Sequence, residues 1–419
     1  MNPKNAFIFL TLIFLSLQIS AQFEIQGIIR PRFEYRNGYA AMRNDTTKPA
    51  VFISQRTRLN FLYKTEKLET KLSIFDFRVW GDQVWKKDVA SVGLNEAWVK
   101  ININNSWFVK FGRQKLKYDN KRLVSPVNWN QIGAAHDALK IHFNKNGWTS
   151  ELISAWNQSL QNKFGTDYYW SDSFYKSLNI LWLSKKFKNF TISSLTVADG
   201  YQNENNPEKQ YFRFTYGLIP DYKKEKIQIT GRIFGQTGKL QTGENIAAFY
   251  TNLDLSYKLS EKIKLTFGNE IKSGNNGSDS LNTTDNSFNI LYGARHKFNG
   301  RIDYFNLPET TKGAGLIDNY LKTFYDFSKF ANLSFEYHYF MLQNNFIYKG
   351  TIINKFLGHE LDFVYKQKIK KDISLEAGYS FILGSKSLEI IKSGNKNLFN
   401  NWFYFMITVD PIFFTDKNK

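Results

Sequence analysis

Residues 54–82, SQRTRLNFLYKTEKLETKLSIFDFRVWGD, read as two alternating strands joined by a short charged turn. In the first half, polar residues that include Arg56 and Arg58 occupy one face, and apolar residues occupy the other. Because side chains in a strand alternate between two faces, a period of two predicts β-structure. In the second half, Asp76 and Arg78 alternate with apolar residues in the same way. The stretch predicts a β-hairpin with one apolar face and one arginine-bearing face.

A hairpin of this kind fits two architectures. A soluble β-sandwich would bury the apolar face between two sheets. A membrane β-barrel would expose that face to lipid and keep the arginines around a water-filled interior. The hairpin alone leaves both possibilities open, so the leader, the composition and the connections of the remaining chain must decide.

Residues 1–21 have the order of a secretory signal peptide. A short polar segment with Lys4 precedes an apolar run, residues 6–17, and small residues end the segment at Ala21. The apolar run is shorter than the roughly 20 residues that a transmembrane helix needs, so we predict cleavage before Gln22 rather than membrane anchoring. The chain has no cysteine, which excludes a disulfide framework and a lipidated cysteine.

The composition of residues 22–419 favours a membrane barrel. No apolar stretch after the leader approaches helix-spanning length, which excludes a helical membrane protein. Aromatic residues make up 17% of the chain, only 8 prolines occur, and the formal net charge is +19. Many antiparallel strands with aromatic residues at both water interfaces have this composition. We find no composition break, so we predict that residues 22–419 form one barrel domain.

Segments with a period of two recur from about residue 23 to residue 414. Twenty can be marked, including one at 287–297 and a weak one at 301–306. Tight connections such as 104–106 alternate with long polar ones such as 117–135. This alternation is typical of bacterial outer-membrane barrels, which have short periplasmic turns and long extracellular loops. We therefore predict an all-β, transmembrane, antiparallel up-and-down β-barrel. The sequence count is about 20 strands if the weak segment spans and fewer if it belongs to a turn or plug, which allows 18 to 20.

Several motifs, in their order along the chain, resemble a known family. They are IRPRFEYR, SQRTRLNFLY, FDFRVWGD, LNEAWVKI, FGRQKLKYDNKRLV and AHDAL in the first half, and RHKFNGRIDYF and an aromatic last strand in the second. In these stretches the chain resembles the alginate-export (AlgE-like) outer-membrane porins of the Bacteroidetes type. The resemblance implies a monomeric barrel of about 18 strands whose positively charged pore passes an anionic uronate polymer outward. It also implies that Arg113 faces the pore, although its phase matches that of Trp107 and Phe111.

A pore for a polyanion needs fixed cations that attract the polymer without trapping it. Arginine suits this role because its planar fork pairs with carboxylates and stays charged. We expect substrate-binding, pore-lining roles for Arg30, Arg32, Arg56, Arg58, Arg78, Arg113, Arg122, Arg213, Arg232 and Arg295. We expect a supporting network from Glu34, Asp76, Glu96, Gln114, Asp119, His136 and Asp137. For each arginine, substrate contact and a purely structural pairing with a carboxylate both remain open.

The sequence gives little support for an enzyme. The five histidines are scattered without metal-ligand spacing, and serine hydrolase and phosphate-loop motifs are absent. We therefore predict no enzyme activity, no cofactor, no metal and no nucleic acid partner.

Three function classes remain. They are an outer-membrane channel for an anionic polysaccharide or oligosaccharide, a less selective small-anion porin, and a secreted carbohydrate-binding β-sheet protein. For the channel, the expected location is the Gram-negative outer membrane. The expected partners are the polysaccharide, outer-membrane lipid and lipopolysaccharide, and the barrel-assembly machinery that generally recognises an aromatic last strand such as residues 402–414.

Overall fold

The computed structural model describes residues 21–83, 91–166, 168, 174–203, 206–279, 281 and 283–416. All but the last residue of the predicted signal peptide lies outside the described residues. The described chain forms a closed antiparallel β-barrel of 18 strands, which confirms the predicted fold class. Among the described residues, no helix is both long and apolar enough to cross a membrane.

The elements follow one another around the wall, with few additions outside it. In chain order they are β1 (Gln22–Asn37), β2 (Ala50–Lys64), β3 (Leu68–Val79), β4 (Val92–Asn102), β5 (Trp107–Gln114), β6 (His136–Lys145), β7 (Trp148–Trp156), β8 (Ser177–Lys186), β9 (Phe190–Gln202), β10 (Gln210–Lys224), β11 (Ile227–Lys239), β12 (Asn245–Lys258), β13 (Ile263–Lys272), β14 (Thr284–Asp285), a 3-10 turn (Pro308–Thr311), β15 (Leu316–Ser328), β16 (Ala331–Met341), β17 (Ile347–Tyr348), β18 (Thr351–Ile352), β19 (Phe356–Lys370), β20 (Ile373–Gly384), helix α1 (Lys386–Lys392), β21 (Asn400–Val409) and β22 (Ile412–Asp416). The short strands β14, β17 and β18 lie in loops, and β21 with β22 forms one interrupted barrel strand.

Each barrel strand pairs with the next one along the chain, and β1 closes the barrel against β21 and β22. The closing ladder pairs Phe33 with Phe405. Between β1 and β21, Arg30 and Pro31 have no paired residue. Between β1 and β22, the register shifts after Ile25. Proline has no backbone N–H to donate, so the interruption at Pro31 accommodates it within an otherwise paired strand.

The connections alternate in length as the sequence predicts. Tight turns join the strands at one end, such as Asn146 and Gly147 between β6 and β7, which both have positive φ as a two-residue hairpin turn requires. Longer loops lie at the other end, and two of them are residues 115–135, hereafter loop A, and residues 273–315, hereafter loop B.

Two of the twenty marked segments are not strands. Residues 287–297 and 301–306 belong to loop B, and Phe288, Ile290 and Tyr304 in them are fully buried. Their periodic apolar residues pack inside the barrel rather than against lipid. The strand count is therefore 18, the lower end of the predicted range.

The faces of the wall separate charge from apolar surface. On β2, Arg56 and Arg58 are buried inside the barrel. On β12, Phe249, Leu253 and Leu255 are exposed on the outer surface. An outward apolar band around a polar interior is the pattern of transmembrane barrels.

The first hairpin differs from the sequence prediction on its second strand. The register pairs Arg56 with Phe77, and opposed residues of an antiparallel pair point to the same side. Phe77 therefore faces inward, and Asp76 and Arg78 lie on the outward row. The cause is the turn at residues 64–69, which sets each even-numbered residue of β2 opposite an odd-numbered residue of β3.

Candidate functional site

Loops A and B fold into the lumen and fill much of it. Val124 of loop A forms a parallel bridge with Tyr292 of loop B, and the amide of Ala294 donates to the carbonyl of Lys121 at 2.8 Å. On the barrel side, the ring of Phe288 packs 5.3 Å from that of Tyr250. Between the loops and the wall of β1 remains a cavity of about 1340 Å³, which is the candidate site for a solute.

Two arginines of β1 hold loop A at the edge of this cavity. The Arg30 guanidinium donates to Gln131 Oε1 at 2.9 Å and to the carbonyl of Asn128 at 3.0 Å. Arg32 donates to the carbonyl of Trp129 at 2.9 Å. Carbonyls of a buried loop need donors, and a guanidinium offers five in a fixed plane. Both arginines line the cavity, and both also hold the loop.

Two arginines of β2 lie beneath loop A. Arg56 donates to Asn128 Oδ1 at 2.8 Å and to the carbonyls of Asn130 and Gln131. Arg58 donates to the carbonyl of Ile132 at 3.1 Å. Neither side chain lines the cavity wall. The structure therefore gives both residues a scaffolding position beneath loop A, which is the structural one of the two roles that the sequence left open.

A tryptophan that the sequence analysis missed lies at the centre of the cavity wall. The Arg32 guanidinium lies 4.2 Å from the Trp129 ring centroid, and the His296 ring stacks on it at 4.1 Å. The Trp129 ring also meets Tyr404 edge-on at 4.9 Å. A single tryptophan within a long polar loop was the available signal, because solvated loops rarely need a large aromatic side chain.

Glu34 balances two of the cavity arginines. It accepts from Arg32 at 2.9 Å and from Arg36 at 2.8 Å, and it also accepts from the Trp402 indole at 3.1 Å. Glu34 therefore connects Arg32, Arg36 and Trp402 in one network.

Positive charge dominates the cavity wall. Its basic residues are Arg30, Arg32, Arg36, Arg113, Lys121, Arg213, Lys239, Arg295, Lys297, Arg301 and Lys366. Its acidic residues are Glu34, Asp303, Glu309 and Glu376. Eleven cations against four anions give the cavity a positive potential that attracts anionic solutes.

Some of these cations are free to meet a solute. Neither Arg295 nor Lys121 has a side-chain hydrogen bond or ion pair in the part of the chain that the structure describes, and the side chain of Arg295 is exposed. Arg213, in contrast, is paired with Asp199. The sequence placed Arg295 on a strand, whereas the structure places it in loop B.

Two predicted arginines, Arg113 and Arg78, lie on outward rows, and Arg113 also reaches the rim of the cavity. Arg113 pairs with Asp137 at 2.9 Å, and both lie on outward rows, since Asp137 shares its row with exposed Leu139. Arg78 pairs with Asp76 at 2.7 Å on the outward row of β3. Arg113 is therefore in phase with the outward row of β5 and still lines the cavity at its rim, and its contact with a solute stays a prediction.

The remaining predicted residues form the internal network of the lumen. Arg122 of loop A pairs with Glu270, and Arg232 pairs with Asp254 at 2.7 Å. Glu96 accepts from Lys71 and Lys115.

Three further members of the predicted network bind neighbouring strands. Gln114 donates to the carbonyl of Ala138 at 2.8 Å, and His136 is hydrogen-bonded to the Tyr175 hydroxyl at 2.8 Å. Asp119 accepts from Ser193 at 2.6 Å, and burial raises the pKa of its carboxyl group. Of these three, His136 alone lines the cavity.

Comparisons with known proteins agree with this fold. The family model described as alginate export matches residues 11–384. Among solved structures, OccAB1 of Acinetobacter baumannii is similar with a TM-score of 0.63 at 12% identity, over 94% of this chain and 97% of its own. OprD of Pseudomonas aeruginosa is similar with a TM-score of 0.61 at 11% identity, over 94% and 96%. OpdK of Pseudomonas aeruginosa with vanillate is similar with a TM-score of 0.60 at 10% identity, over 94% and 99%. No curated protein matches the chain.

Proposed function

We propose that this chain, which belongs to the alginate export family and is an outer-membrane channel, passes an anionic polysaccharide or oligosaccharide. The substrate class is an alginate-like uronate, which carries about one carboxylate per sugar. The solute would pass along the arginine-bearing wall between β1 and the two lumenal loops.

The excess of positive charge in the cavity is the observation that carries the proposal. Seven more basic than acidic residues line its wall. A water-filled cavity of one sign in a low-dielectric wall concentrates counter-ions of the opposite sign. The free side chains of Arg295 and Lys121 would contact carboxylates, while Arg30 and Arg32 would contribute to the potential from the scaffold.

A small-anion porin is the second candidate. The narrowing of the lumen by loops A and B favours it, because a polymer needs a continuous passage. The similar protein OpdK has been solved with vanillate, a small carboxylate. A secreted carbohydrate-binding sheet protein has no support from the closed barrel or the family.

Planar-bilayer recording tests the proposal. We expect the wild-type channel to prefer anions in a salt gradient and to be blocked by uronate oligomers. The variant Arg295→Gln with Lys121→Gln should lose part of the anion preference and bind the oligomers more weakly.

Arg78→Gln is the matched control, since it removes the same kind of charge from the outward row and should leave selectivity unchanged. Cation preference in the wild type would contradict the proposal. Block by small carboxylates alone, with no effect of oligomers, would favour the second candidate.

The proposal also includes the route of the protein to its membrane. The chain would be exported through a signal peptide cleaved before Gln22 and inserted by the barrel-assembly machinery as a monomer in contact with lipopolysaccharide. Mass spectrometry of the purified N-terminus and light scattering in detergent test the cleavage and the oligomeric state.

A further inference from the structure

We propose that the inner wall of the barrel holds a divalent metal ion of the zinc class between Glu336, His338 and Asp362. The first two residues lie on β16 and the third on β19, and the ladder sets Glu336 directly opposite Asp362. This inference does not depend on the transported solute. It differs from the expectation of no metal, because the ligands come from two strands and leave no spacing signal in the sequence.

The geometry brings three donor atoms to one point. His338 Nε2 lies 3.7 Å from Glu336 Oε2 and 3.8 Å from Asp362 Oδ2. One ligand atom from each residue lies within 4.8 Å of the others. These separations are too long for hydrogen bonds. They are slightly wider than the ligand separations around a tetrahedral ion bound at about 2.1 Å, so small side-chain rotations would complete the site.

Unpartnered atoms point into this space. His338 Nε2 and both carboxylate oxygens of Asp362 have no hydrogen-bond partner among the described residues. The two side chains are 1% and 0% exposed. Buried acceptors without donors cost free energy, and a bound cation removes that cost by accepting their lone pairs.

A second residue sets the orientation of the histidine. His338 Nδ1 lies 2.9 Å from Asp318 Oδ1. A carboxylate that accepts the Nδ1 proton fixes the tautomer with a lone pair on Nε2, which is the usual arrangement behind a metal-bound histidine. Asp318 is therefore a positioning residue for the site.

The charges around the site leave room for a cation. Four buried carboxylates, those of Asp318, Glu336, Glu360 and Asp362, lie on neighbouring inward positions. Arg301 and Lys322 both pair with Glu336, at 2.7 and 2.6 Å. Farther out, Arg122 pairs with Glu270. With a neutral His338, the four carboxylates outnumber the positive charges of Arg301 and Lys322, and a divalent ion would balance the difference.

Oxygen ligands beyond the three are available. Ser380 faces Asp362 across the β19–β20 ladder, and its buried hydroxyl has no hydrogen bond among the described residues. Glu360 accepts from the amide of Ile302 in loop B through one oxygen and leaves the other unpartnered. An imidazole with carboxylate oxygens is a donor set that zinc-class ions accept. A bound ion would also tie loop B to the wall through Glu360 and Arg301.

Metal analysis of the full folded barrel tests the inference. The protein in detergent is stripped with a chelator, incubated with Zn²⁺, Mn²⁺ or Mg²⁺ separately, and analysed for metal per chain by mass spectrometry. We expect one Zn²⁺ per wild-type chain and loss of it in His338→Gln and Asp362→Asn. The control His359→Gln, on β19 but hydrogen-bonded to the Tyr337 hydroxyl, should retain the ion.

Asp318→Asn should keep the site but weaken Zn²⁺ binding by about 10- to 100-fold, as removal of an orienting carboxylate does elsewhere. If the ligand variants fail to fold, the visible spectrum of Co²⁺ added to the wild type decides. A tetrahedral Co²⁺ spectrum supports the inference. Equal Zn²⁺ content in wild type and ligand variants, or no Co²⁺ spectrum in the wild type, overturns it.

Discussion

Replacing Arg56 with glutamine should release loop A from the barrel wall and increase single-channel conductance. The Arg56 guanidinium makes four hydrogen bonds, all to residues 128–131 of loop A. Glutamine is shorter and offers two donors, so the carbonyls of Asn130 and Gln131 would lose their partner.

The size of the effect follows from burial and charge. Hydrogen bonds between a charged group and neutral oxygens contribute about 1.5 to 3 kcal/mol. Since about 1.4 kcal/mol is tenfold in an equilibrium constant, the population with loop A displaced should rise by roughly 10-fold to 150-fold. Arg30, Arg32 and Arg58 still hold the loop, so we expect a local displacement at residues 130–131 rather than unfolding of the barrel.

Bilayer recording and hydrogen exchange of residues 128–132 measure this change. Arg56→Lys separates two explanations, because it keeps the charge but loses the planar fork. If the guanidinium hydrogen bonds to loop A are what matters, Arg56→Lys should behave like Arg56→Gln. Wild-type conductance and exchange in Arg56→Gln would refute the reasoning, and so would a lysine variant that behaves as wild type while the glutamine variant does not.

Three further perturbations test the packing of the lumenal loops. A Cβ on Gly293 would lie 1.7 Å from the Arg122 carbonyl oxygen, so Gly293→Ala should separate loops A and B at a cost of about 1 to 3 kcal/mol. Hydrogen exchange at residues 288–295 measures this separation. The control Gly235→Ala should change little, because its Cβ meets only a tyrosine ring at 3.3 Å. Trp129→Ala should remove the ring between Arg32 and His296, lose about 1 to 2 kcal/mol of cation–π stabilisation and raise conductance; an unchanged conductance would contradict the position of the ring in the pathway. Burial lowers the pKa of Lys392 in α1 to about 7, with repulsion from Lys312 as a second cause. In the unfolded loop the same lysine keeps its proton up to about pH 10.4. Between pH 7 and pH 10 the unfolded loop therefore binds more protons than the folded one. The free energy of opening α1 should rise by up to about 1.4 kcal/mol per pH unit in this range. Lys392→Met should flatten this slope in exchange measurements corrected for the intrinsic rate, and identical slopes would count against it.

The architecture was predictable because barrel strands leave local signals. Alternation, turn length and the aromatic last strand each depend on residues close in sequence, and the structure confirms the up-and-down barrel. The two extra segments in loop B show the limit of the same signal. A loop that runs along an apolar inner wall also alternates, so Phe288 and Ile290 resemble a lipid-facing strand until the wall is known.

The site was less predictable because it depends on register and distant contacts. Arg78 changed faces through the pairing set by a single turn, which no periodicity within β3 reveals. Arg56 was correctly expected inside the barrel, but its partners lie more than 70 residues away in loop A. The cluster around His338 was equally hidden from the sequence, because its carboxylate and imidazole groups meet only after strands β15, β16 and β19 are aligned.

The closing ladder of the barrel differs from all the others in how far apart its strands lie in the chain. β1 pairs with β21 and β22 across almost the whole sequence, whereas the other wall ladders join consecutive barrel strands. Bringing such distant ends together costs about 5 kcal/mol of chain entropy, against about 1 kcal/mol for a four-residue turn. Prolines interrupt this joint on both sides, at Pro31 and Pro411. The closing ladder should therefore form last during assembly and open first under denaturant. Until it forms, the sheet has two edge strands with unpaired backbone groups.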